Sequence, residues 1–334
     1  MMPSPRNWKE SSAASYSVKA QPKNTNQPRI EYGVPGNPMA TRVVFLFGAG
    51  ASFGAGGMEN SPPLGNALFS ALIKCFPDTW GKLPPELSAK FREGFETGIE
   101  ACYGKYPSFA ILLNRMGRYF AHFRIDDYQR NLYYRLIERF PSRFASSEFL
   151  ISTINYERLI ELAASPIFNE ITYWGFSHGL RVLKLHGSCN FFATHIHVGK
   201  HTPFDIGTAR IHAPLKVVPS ERVIEELVRN QLPPAMSLYA REKTNMICDP
   251  KIREIQTEFH EAVKQAELVI VIGANPYPDD RHIWDHLRAT DAELILIANE
   301  AACKDWLKGN RQGKRSTWLS SKFADGFQNL CNLL

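Results

Sequence analysis

Short β-prone runs recur along the chain, and each is about the length of one strand. They lie at Val43 to Phe47, Phe149 to Ile154, Arg181 to Leu185, Leu268 to Ile272 and Glu293 to Ala298. Near-continuous apolar runs of this kind are typical of strands that a parallel sheet buries on both faces. The pattern therefore predicts one sheet at the centre of the fold.

Segments between these runs show helical spacing of apolar residues. Four precede the second run, at Asn66 to Cys75, Pro85 to Glu100, Ser108 to Phe123 and Asp127 to Phe140. Three accompany the later runs, at Tyr156 to Ala164, Ile252 to Ala266 and Asp280 to Thr290. The alternation predicts an α/β fold, a doubly wound parallel (Rossmann-like) sheet with a helical insertion over about residues 66–145.

Two other stretches lack this alternation. Residues 1–38 are rich in Ser, Asn, Pro and Lys without apolar periodicity, which predicts a flexible N-terminal tail. Residues from about 191 to 248 are rich in Pro, His and polar side chains, with one helical stretch at Ser220 to Arg229, which predicts a small irregular subdomain. We expect residues 39–334 to form one catalytic domain.

Composition narrows the class of protein. The 334 residues include 39 basic and 33 acidic side chains, but no Lys/Arg block that would follow a phosphate backbone, so we do not expect direct nucleic-acid binding. The six cysteines are scattered and form no Cys-x-x-Cys pair, which argues against a disulfide framework. Because no apolar run is as long as a membrane span and no secretory signal is recognisable, we predict a cytoplasmic location without membrane contact.

A glycine turn, Gly48-Ala49-Gly50-Ala51-Ser52, follows the first predicted strand. Ligands of open parallel sheets bind beyond the carboxyl ends of the strands, where such a turn lets backbone N–H groups approach a diphosphate. The next glycine, Gly54, stands one position later than in the usual dinucleotide-binding pattern. A turn that needs glycine for steric reasons alone is the alternative interpretation.

Polar residues follow three further predicted strands, in the motifs Ser152-Thr153-Ile154-Asn155-Tyr156-Glu157, Lys184-Leu185-His186-Gly187-Ser188 and Gly273-Ala274-Asn275. Because parallel strands end at the same edge of a sheet, we expect these groups to converge. Chemistry at a ribose needs a base and a group that orients water or a hydroxyl, and His186 with Asn155 supplies both.

In order along the chain, these motifs resemble the successive signatures of the sirtuin family. The resemblance spans about Arg42 to Glu300 and includes a fifth motif, Ile297-Ala298-Asn299-Glu300. The Thr-x-Asn-Tyr motif, the Lys-Leu-His-Gly-Ser turn and the helical insertion are more similar to the bacterial sirtuin-like branch of antiphage defence systems than to protein deacylases.

The resemblance implies an enzyme with NAD as its substrate. His186 would be the catalytic base, and Asn155 would hold the nicotinamide ribose and the attacking water. The glycine turn would meet the diphosphate, and the motifs after the later strands would line the adenosine half. The residues implied to contact NAD are Gly48, Ala49, Gly50, Ser52, Thr153, Gly273, Asn275, Asp280, Asn299 and Glu300.

The chain departs from deacylating sirtuins in two places. Those enzymes carry a zinc module with two Cys-x-x-Cys pairs, whereas only Cys189 and Cys248 lie between His186 and the next predicted core strand. We therefore expect no zinc and no metal ligands. The Gly273-Ala274-Asn275 motif also stands where deacylases usually have Gly-Thr-Ser.

The missing module is the part that frames an acyl-lysine channel, so water is the expected acceptor. The expected activity is NAD glycohydrolase, which yields nicotinamide and ADP-ribose or cyclic ADP-ribose. One alternative is an NAD-dependent protein deacylase or ADP-ribosyltransferase. Another is a non-catalytic module that senses NAD or ADP-ribose.

The resemblance also implies a setting, bacterial antiphage defence by NAD depletion. An unregulated activity of this kind would kill its host, and no sensor domain is recognisable in the sequence. We therefore predict control by homo-oligomerisation or by a separately encoded partner, which in related systems is an Argonaute or a hexameric translocase ATPase.

Simpler interpretations compete for some of these residues. Asn155 suits the N-cap of a helix that begins at Tyr156, a role compatible with catalysis. Arginines interleave with aromatic residues on the predicted insertion helices, and a solvated helix face over an aromatic core is favoured over a nucleic-acid interface. These arginines are Arg115, Arg118, Arg124, Arg130, Arg135 and Arg139.

Two histidine groups invite a metal interpretation. His195, His197 and His201 have no carboxylate or cysteine that completes a ligand set, so a surface loop is favoured. His282 and His286 stand four residues apart beside acidic residues, a spacing that suits a metal on a helix face. A polar helix start, with acids near the N-terminus, accounts for most of this second pattern.

Overall fold

The computed structural model describes residues 41–103, 105–175, 179–194, 213–230, 232–237, 248–277 and 280–334. The predicted tail over residues 1–38 and the histidines at 195, 197 and 201 lie outside the described residues. Of the predicted irregular subdomain, the described parts are residues 191–194, 213–230, 232–237 and 248.

A parallel sheet of seven strands forms the centre of the fold, in the order β3-β4-β2-β1-β7-β8-β9. A separate antiparallel pair joins β5 to β6. The strands are β1 (Val43–Phe47), β2 (Phe149–Thr153), β3 (Ile171–Thr172), β4 (Leu180–Lys184), β5 (Phe191–Ala193), β6 (Leu215–Val217), β7 (Leu268–Ile272), β8 (Glu293–Ile297) and β9 (Ser316–Ser320).

The described helices, in chain order, are α1 (Ala49–Phe53), α2 (Gly65–Cys75), α3 (Pro85–Glu93), α4 (Phe95–Cys102), α5 (Phe109–Ala121), α6 (Leu132–Arg139), α7 (Pro141–Ala145), α8 (Leu159–Ala164), α9 (Val223–Arg229), α10 (Asp249–Gln265), α11 (Arg281–Ala289), α12 (Glu300–Asn310) and α13 (Phe323–Leu333). Three short 3-10 turns lie at Trp80–Lys82, Tyr128–Arg130 and Ser220–Arg222. No helix in the described ranges is long and apolar enough to cross a membrane.

The strand order confirms the predicted doubly wound α/β fold. From β1 the chain moves outward through β2 and β4, then returns to the other side of β1 and moves outward again through β7, β8 and β9. All residues of β1 and β2 are buried, as the continuous apolar runs predicted. The direction reverses between β1 and β7, and such a switch point is where doubly wound sheets bind nucleotides.

Helices α2 to α7 lie between β1 and β2 along the chain, and two predicted helices within them are divided. The run from Asp127 to Phe140 is a 3-10 turn and α6, with Asn131 extended between them. The run from Pro85 to Glu100 is two helices, because Gly94 takes an extended conformation (φ −179°, ψ 144°) that ends α3 and begins α4. The rings of Phe91 and Phe95 pack 5.5 Å apart across this break. Apolar spacing that continues through a glycine does not reveal such a break.

Two arginines of this region, Arg115 and Arg118, are half-buried, whereas Arg124, Arg130, Arg135 and Arg139 are exposed. Burial lowers the pKa of Arg115, and it lowers that of Arg118 to about 10. Arg124 donates to the carbonyls of Ala121 and Phe123, and the guanidinium of Arg135 lies 4.8 Å from the ring centre of Phe327. This arrangement favours the interpretation of a solvated helix face over an aromatic core, rather than a surface for nucleic acid.

Candidate functional site

Five neighbouring strands end in register, and the motifs singled out in the sequence follow these ends. Phe47 of β1 pairs with Thr153 of β2 and Ile272 of β7, Thr153 pairs with Lys184 of β4, and Ile272 pairs with Ile297 of β8. We call the side of the sheet where these strands end the carboxyl edge. The structure thus brings the predicted site residues to one edge of the sheet.

The glycine turn after β1 packs directly on the turn after β7. A Cβ at Gly48 would lie 2.7 Å from the Cβ of Ala274, and one at Gly50 would lie 3.0 Å from the Cα of Gly273. Gly273 has φ +70°, and a Cβ there would overlap the backbone nitrogen of Ala51. The three glycines are therefore required for the close approach of the two turns.

This packing uses backbone donors that the dinucleotide pattern would offer to a diphosphate. The N–H of Gly48 donates to the carbonyl of Ile272 at 2.9 Å, and the N–H of Gly50 donates to that of Gly273 at 2.8 Å. Ala49, at the start of α1, is exposed between them. The steric interpretation of the glycines thus holds for Gly48 and Gly50, and Ala49 is the part of the turn that faces outward.

Asn155 is buried, and its side chain joins β2 to the glycine turn. Its Nδ2 donates to the carbonyl of Gly48 at 3.0 Å and to the Oγ of Ser52 at 2.9 Å. The hydroxyl of Thr153 accepts from the N–H of Asn155 and donates to the carbonyl of Phe47. The N-cap interpretation of Asn155 is wrong, because α8 begins at Leu159, and the amide holds a different loop instead.

Asn155 is connected through Ser52 to a buried polar network that the sequence did not predict. The Oγ of Ser52 donates to the carboxylate of Glu157 at 2.5 Å and lies 2.8 Å from the hydroxyl of Tyr133. The Nζ of Lys184 donates to the carbonyl of Glu157 at 2.5 Å. Burial, reinforced by the nearby Glu157, raises the pKa of Tyr133 well above its usual value, so the phenol stays neutral. This network fixes the positions of Ser52 and Asn155.

His186 lies just beyond β4 and is 1% exposed. Its carbonyl accepts from the N–H of Ser237 at 2.7 Å. Gly187 has φ +75°, and a Cβ there would overlap the carbonyl of Ala235, so only glycine suits this turn. The segment 232–237 therefore packs beside the histidine and holds its backbone.

The start of α11 meets His186, although β4 and β7 are separated by β2 and β1 in the sheet. The Nε2 atoms of His186 and His282 are 3.0 Å apart, and an Oδ1 of Asp280 lies 3.7 Å from the Nε2 of His186. One ligand atom from each of the three residues lies within 4.8 Å of the others, a set that could hold a metal ion. The expectation of no metal ligands did not consider this group, because the sequence marked His186 and Asp280 but did not connect His282 with them.

The two histidines of α11 have separate surroundings. His286 stacks on His260 of α10 with ring centres 3.6 Å apart, whereas His282 approaches His186. The Nε2 of His260 lies 2.6 Å from the carbonyl of His282. Burial lowers the pKa of both His260 and His286. The four-residue spacing of His282 and His286 therefore does not define a joint ligand pair.

The residues expected around the adenosine half lie after β7 and β8. The Oδ1 of Asn275 accepts from the N–H of Asn299, and the Oδ1 of Asn299 accepts from the N–H of Ala302 at the start of α12. Glu300 pairs with Lys304 at 2.6 Å and is exposed. Asn275 and Asn299 thus shape the backbone of this part of the carboxyl edge, while Glu300 faces outward.

Comparisons with known proteins give structural likeness alone. No protein-family model matches the chain, and no curated protein does. A Sir2 structure in complex with the inhibitor EX-527, 2'-O-acetyl-ADP-ribose and a deacetylated p53 peptide matches with TM-score 0.39 and 14% identity, over 87% of this chain and 91% of that one. A structure described as the structural basis of sirtuin substrate affinity matches with TM-score 0.36 and 16% identity, over 78% and 83%. Since both TM-scores are below 0.5, the fold class stands on the strand order and register given above.

Proposed function

We propose that the chain is an NAD glycohydrolase that gives nicotinamide and ADP-ribose or its cyclic form, as the effector of an antiphage defence system. The observation that carries the proposal is the shared position on the carboxyl edge, where Asn155 contacts the glycine turn beside the β1–β7 switch point and His186 follows the strand next to that of Asn155. A histidine and a fixed amide at that place suit chemistry on a nucleotide ribose. Because the sequence motifs resemble those of sirtuins, we infer that this nucleotide is NAD.

Asn155 is the residue proposed to orient the reacting groups. Both donors of its Nδ2 are directed to Gly48 and Ser52, so its Oδ1 is the atom it offers to a ribose hydroxyl or to water. A side chain that is locked in this way needs no reordering when substrate binds, which favours a reactive arrangement.

His186 is proposed as the base. Cleavage breaks the bond between the nicotinamide nitrogen and the ribose carbon, with the electron pair leaving on nicotinamide. A water oxygen then bonds to that carbon, and the water's proton passes to the imidazole of His186. The side chain is 1% exposed, so the imidazole itself is shielded from bulk water.

The NAD contacts would run along the carboxyl edge. Ala49 would meet the diphosphate, because it is the exposed residue of the glycine turn. Glu300, exposed after β8, would accept from a hydroxyl of the adenosine ribose. Gly273 and Asn275 would support the backbone beneath the nucleotide.

Nicotinamide release without an added acceptor tests the proposed reaction. We expect the purified chain to release nicotinamide from NAD alone, and an acetyl-lysine peptide to leave the rate unchanged. Release that requires the peptide would assign the chain to the deacylases instead. Tight NAD binding without release under any condition would assign it to the sensing modules.

Asn155→Ala tests the residue proposed to orient water. We expect nicotinamide release to fall at least about 100-fold, the size of effect usual for a group that positions a proton transfer. Asn114→Ala is the matched control, since Asn114 is also a buried asparagine, and its amide donates to the carbonyls of Leu227 and Asn230. The control variant should lose stability yet keep its release rate per folded molecule. Equal losses in the two variants would remove the catalytic role of Asn155.

A further inference from the structure

Three ligand-type side chains converge at His186 and belong to two distant parts of the chain. His186 follows β4, whereas Asp280 and His282 stand at the start of α11. The Nε2 atoms of the two histidines are 3.0 Å apart, and the carboxylate oxygen of Asp280 is 3.7 Å from the Nε2 of His186. Two imidazole nitrogens and one carboxylate oxygen of this group are close enough together to be ligands of one metal ion.

These distances are close to those of a tetrahedral metal site. Zinc binds imidazole nitrogen and carboxylate oxygen at about 2.0–2.2 Å, so two ligand atoms of a tetrahedral ion lie about 3.3 Å apart. The separations of 3.0 and 3.7 Å in the structure fall on either side of this value. The third pair, Asp280 with His282, lies within 4.8 Å, so side-chain adjustment would let all three atoms reach one ion, with water completing the fourth position.

The backbone holds all three residues in place. The carbonyl of His186 accepts from the N–H of Ser237, and that of His282 lies 2.6 Å from the Nε2 of His260. The carbonyl of Asp280 accepts from the N–H groups of Ile283 and Trp284 in the first turn of α11. Ligands held on such fixed backbone lose little freedom on binding, which favours affinity.

We propose that His186, Asp280 and His282 bind one divalent transition-metal ion of the zinc class, and that the bound ion inhibits the enzyme. A metal on the Nε2 of His186 takes the lone pair that the histidine needs as a base. The ion and the proton of the attacking water therefore compete for the same lone pair, so the bound ion would lower the rate of the reaction. The inhibitory part rests on the proposed NAD glycohydrolase activity, whereas the binding part stands on the geometry alone.

Metal binding is measured on the full chain after treatment with a chelator. Titration calorimetry with Zn²⁺, and the visible absorption of added Co²⁺, report binding without any need for activity. We expect one site per chain, and we expect His282→Gln and Asp280→Asn each to weaken it at least about 100-fold, since loss of outer partners of ligands alone costs about 10–100-fold. His286→Gln is the matched control, because His286 lies one turn further along α11 and stacks on His260 instead. It should keep the site.

Nicotinamide release with and without zinc tests the inhibition. We expect saturating zinc to lower release by the wild type, a chelator to restore it, and the ratio of the two rates to approach one in His282→Gln. No zinc or cobalt binding by the folded wild type, or equal binding by all three variants, overturns the metal site. Release that zinc raises or leaves unchanged overturns the inhibition. Metal binding in a protein that releases no nicotinamide would refute the proposed function while leaving the site intact.

Discussion

Gly273 is the residue on which the contact between the two glycine turns depends. Its φ of +70° disfavours any side chain, and a Cβ would overlap Ala51. We expect Gly273→Ala to lower the free energy of unfolding by at least about 2 kcal/mol and to weaken NAD binding, because the turn after β1 must move. Urea unfolding and calorimetry with NAD measure the two effects.

Gly309→Ala is the control for this substitution. Gly309 lies inside α12, and a Cβ there has no atom within 4 Å. Alanine should therefore stabilise the helix by up to about 1 kcal/mol and leave NAD binding unchanged. Similar behaviour of the two variants would show that the turn after β7 tolerates a side chain.

His122, at the end of α5, makes the stability of the fold depend on pH. Burial lowers its pKa from 6.5 to about 4, an effect that its contact with the carbonyl of Arg118 only partly offsets. The folded protein keeps the ring neutral where the unfolded chain protonates it, so the contribution is complete above pH 6.5 and is lost as pH falls toward 4. At about 1.4 kcal/mol per pKa unit, the loss is on the order of 3 kcal/mol.

Urea unfolding of the wild type and of His122→Gln, at neutral pH and at about pH 5, isolates this contribution. The difference in unfolding free energy between the two proteins should shrink on acidification, since glutamine does not titrate. A difference that stays constant with pH would mean that His122 is already solvated in the folded protein.

At the scale of single residues, the sequence indicated which positions lie in the candidate site, but it did not indicate which contacts they make. Strand-end position predicted that Asn155 and His186 would share an edge of the sheet with the glycine turn. The partners of Asn155 were not predictable, because its contacts to Gly48 and Ser52 span more than a hundred residues. The approach of His282 to His186 depends on the path of the chain after β7, which no local pattern records.

Arg311 joins the end of α11 to β8 and β9. Its guanidinium donates to the carbonyls of Leu287, Thr290 and Ala292 and to the Oγ of Ser316, which connects the end of α11 with β8 and β9. We expect Arg311→Lys to cost at least about 3 kcal/mol of unfolding free energy, because an ammonium cannot reach all these acceptors and leaves buried carbonyls unpaired.

Arg315→Lys is the comparison for this variant. The side chain of Arg315 is 76% exposed and pairs with Glu293, so its replacement should cost less than about 1 kcal/mol. Thermal denaturation of both variants beside the wild type measures the contrast. Equal losses in the two variants would contradict the role assigned to Arg311.

Elements were predictable where a pattern is strong and local. The runs of β1 and β7 are continuously apolar because each strand lies between two others inside the sheet. Strand β9 is an edge strand with no fully buried residue, so the sequence Ser316–Ser320 has no continuous apolar run. The apolar pattern therefore did not predict this strand. Helix α13 after it was missed too, although its Phe323 and Phe327 are buried. The interior strands were therefore sufficient to predict the fold class, whereas the edge strand β9 was not predicted.

At the scale of the whole molecule, the proposed activity requires control. An enzyme that depletes NAD must stay inactive until it is triggered, so we expect the chain to form a homo-oligomer or to need a separately encoded partner. Sedimentation of the purified chain beside its nicotinamide release tests this expectation. A monomer that is fully active by itself would remove the basis for a partner.

The central claim is that His186 is the base of an NAD-cleaving site, and NAD binding and nicotinamide release measured on the same samples test it most directly. We predict that His186→Gln binds NAD about as well as the wild type and releases nicotinamide at least about 100-fold more slowly. His122→Gln, the control, should keep both properties near neutral pH. Release by His186→Gln at the wild-type rate would contradict the account.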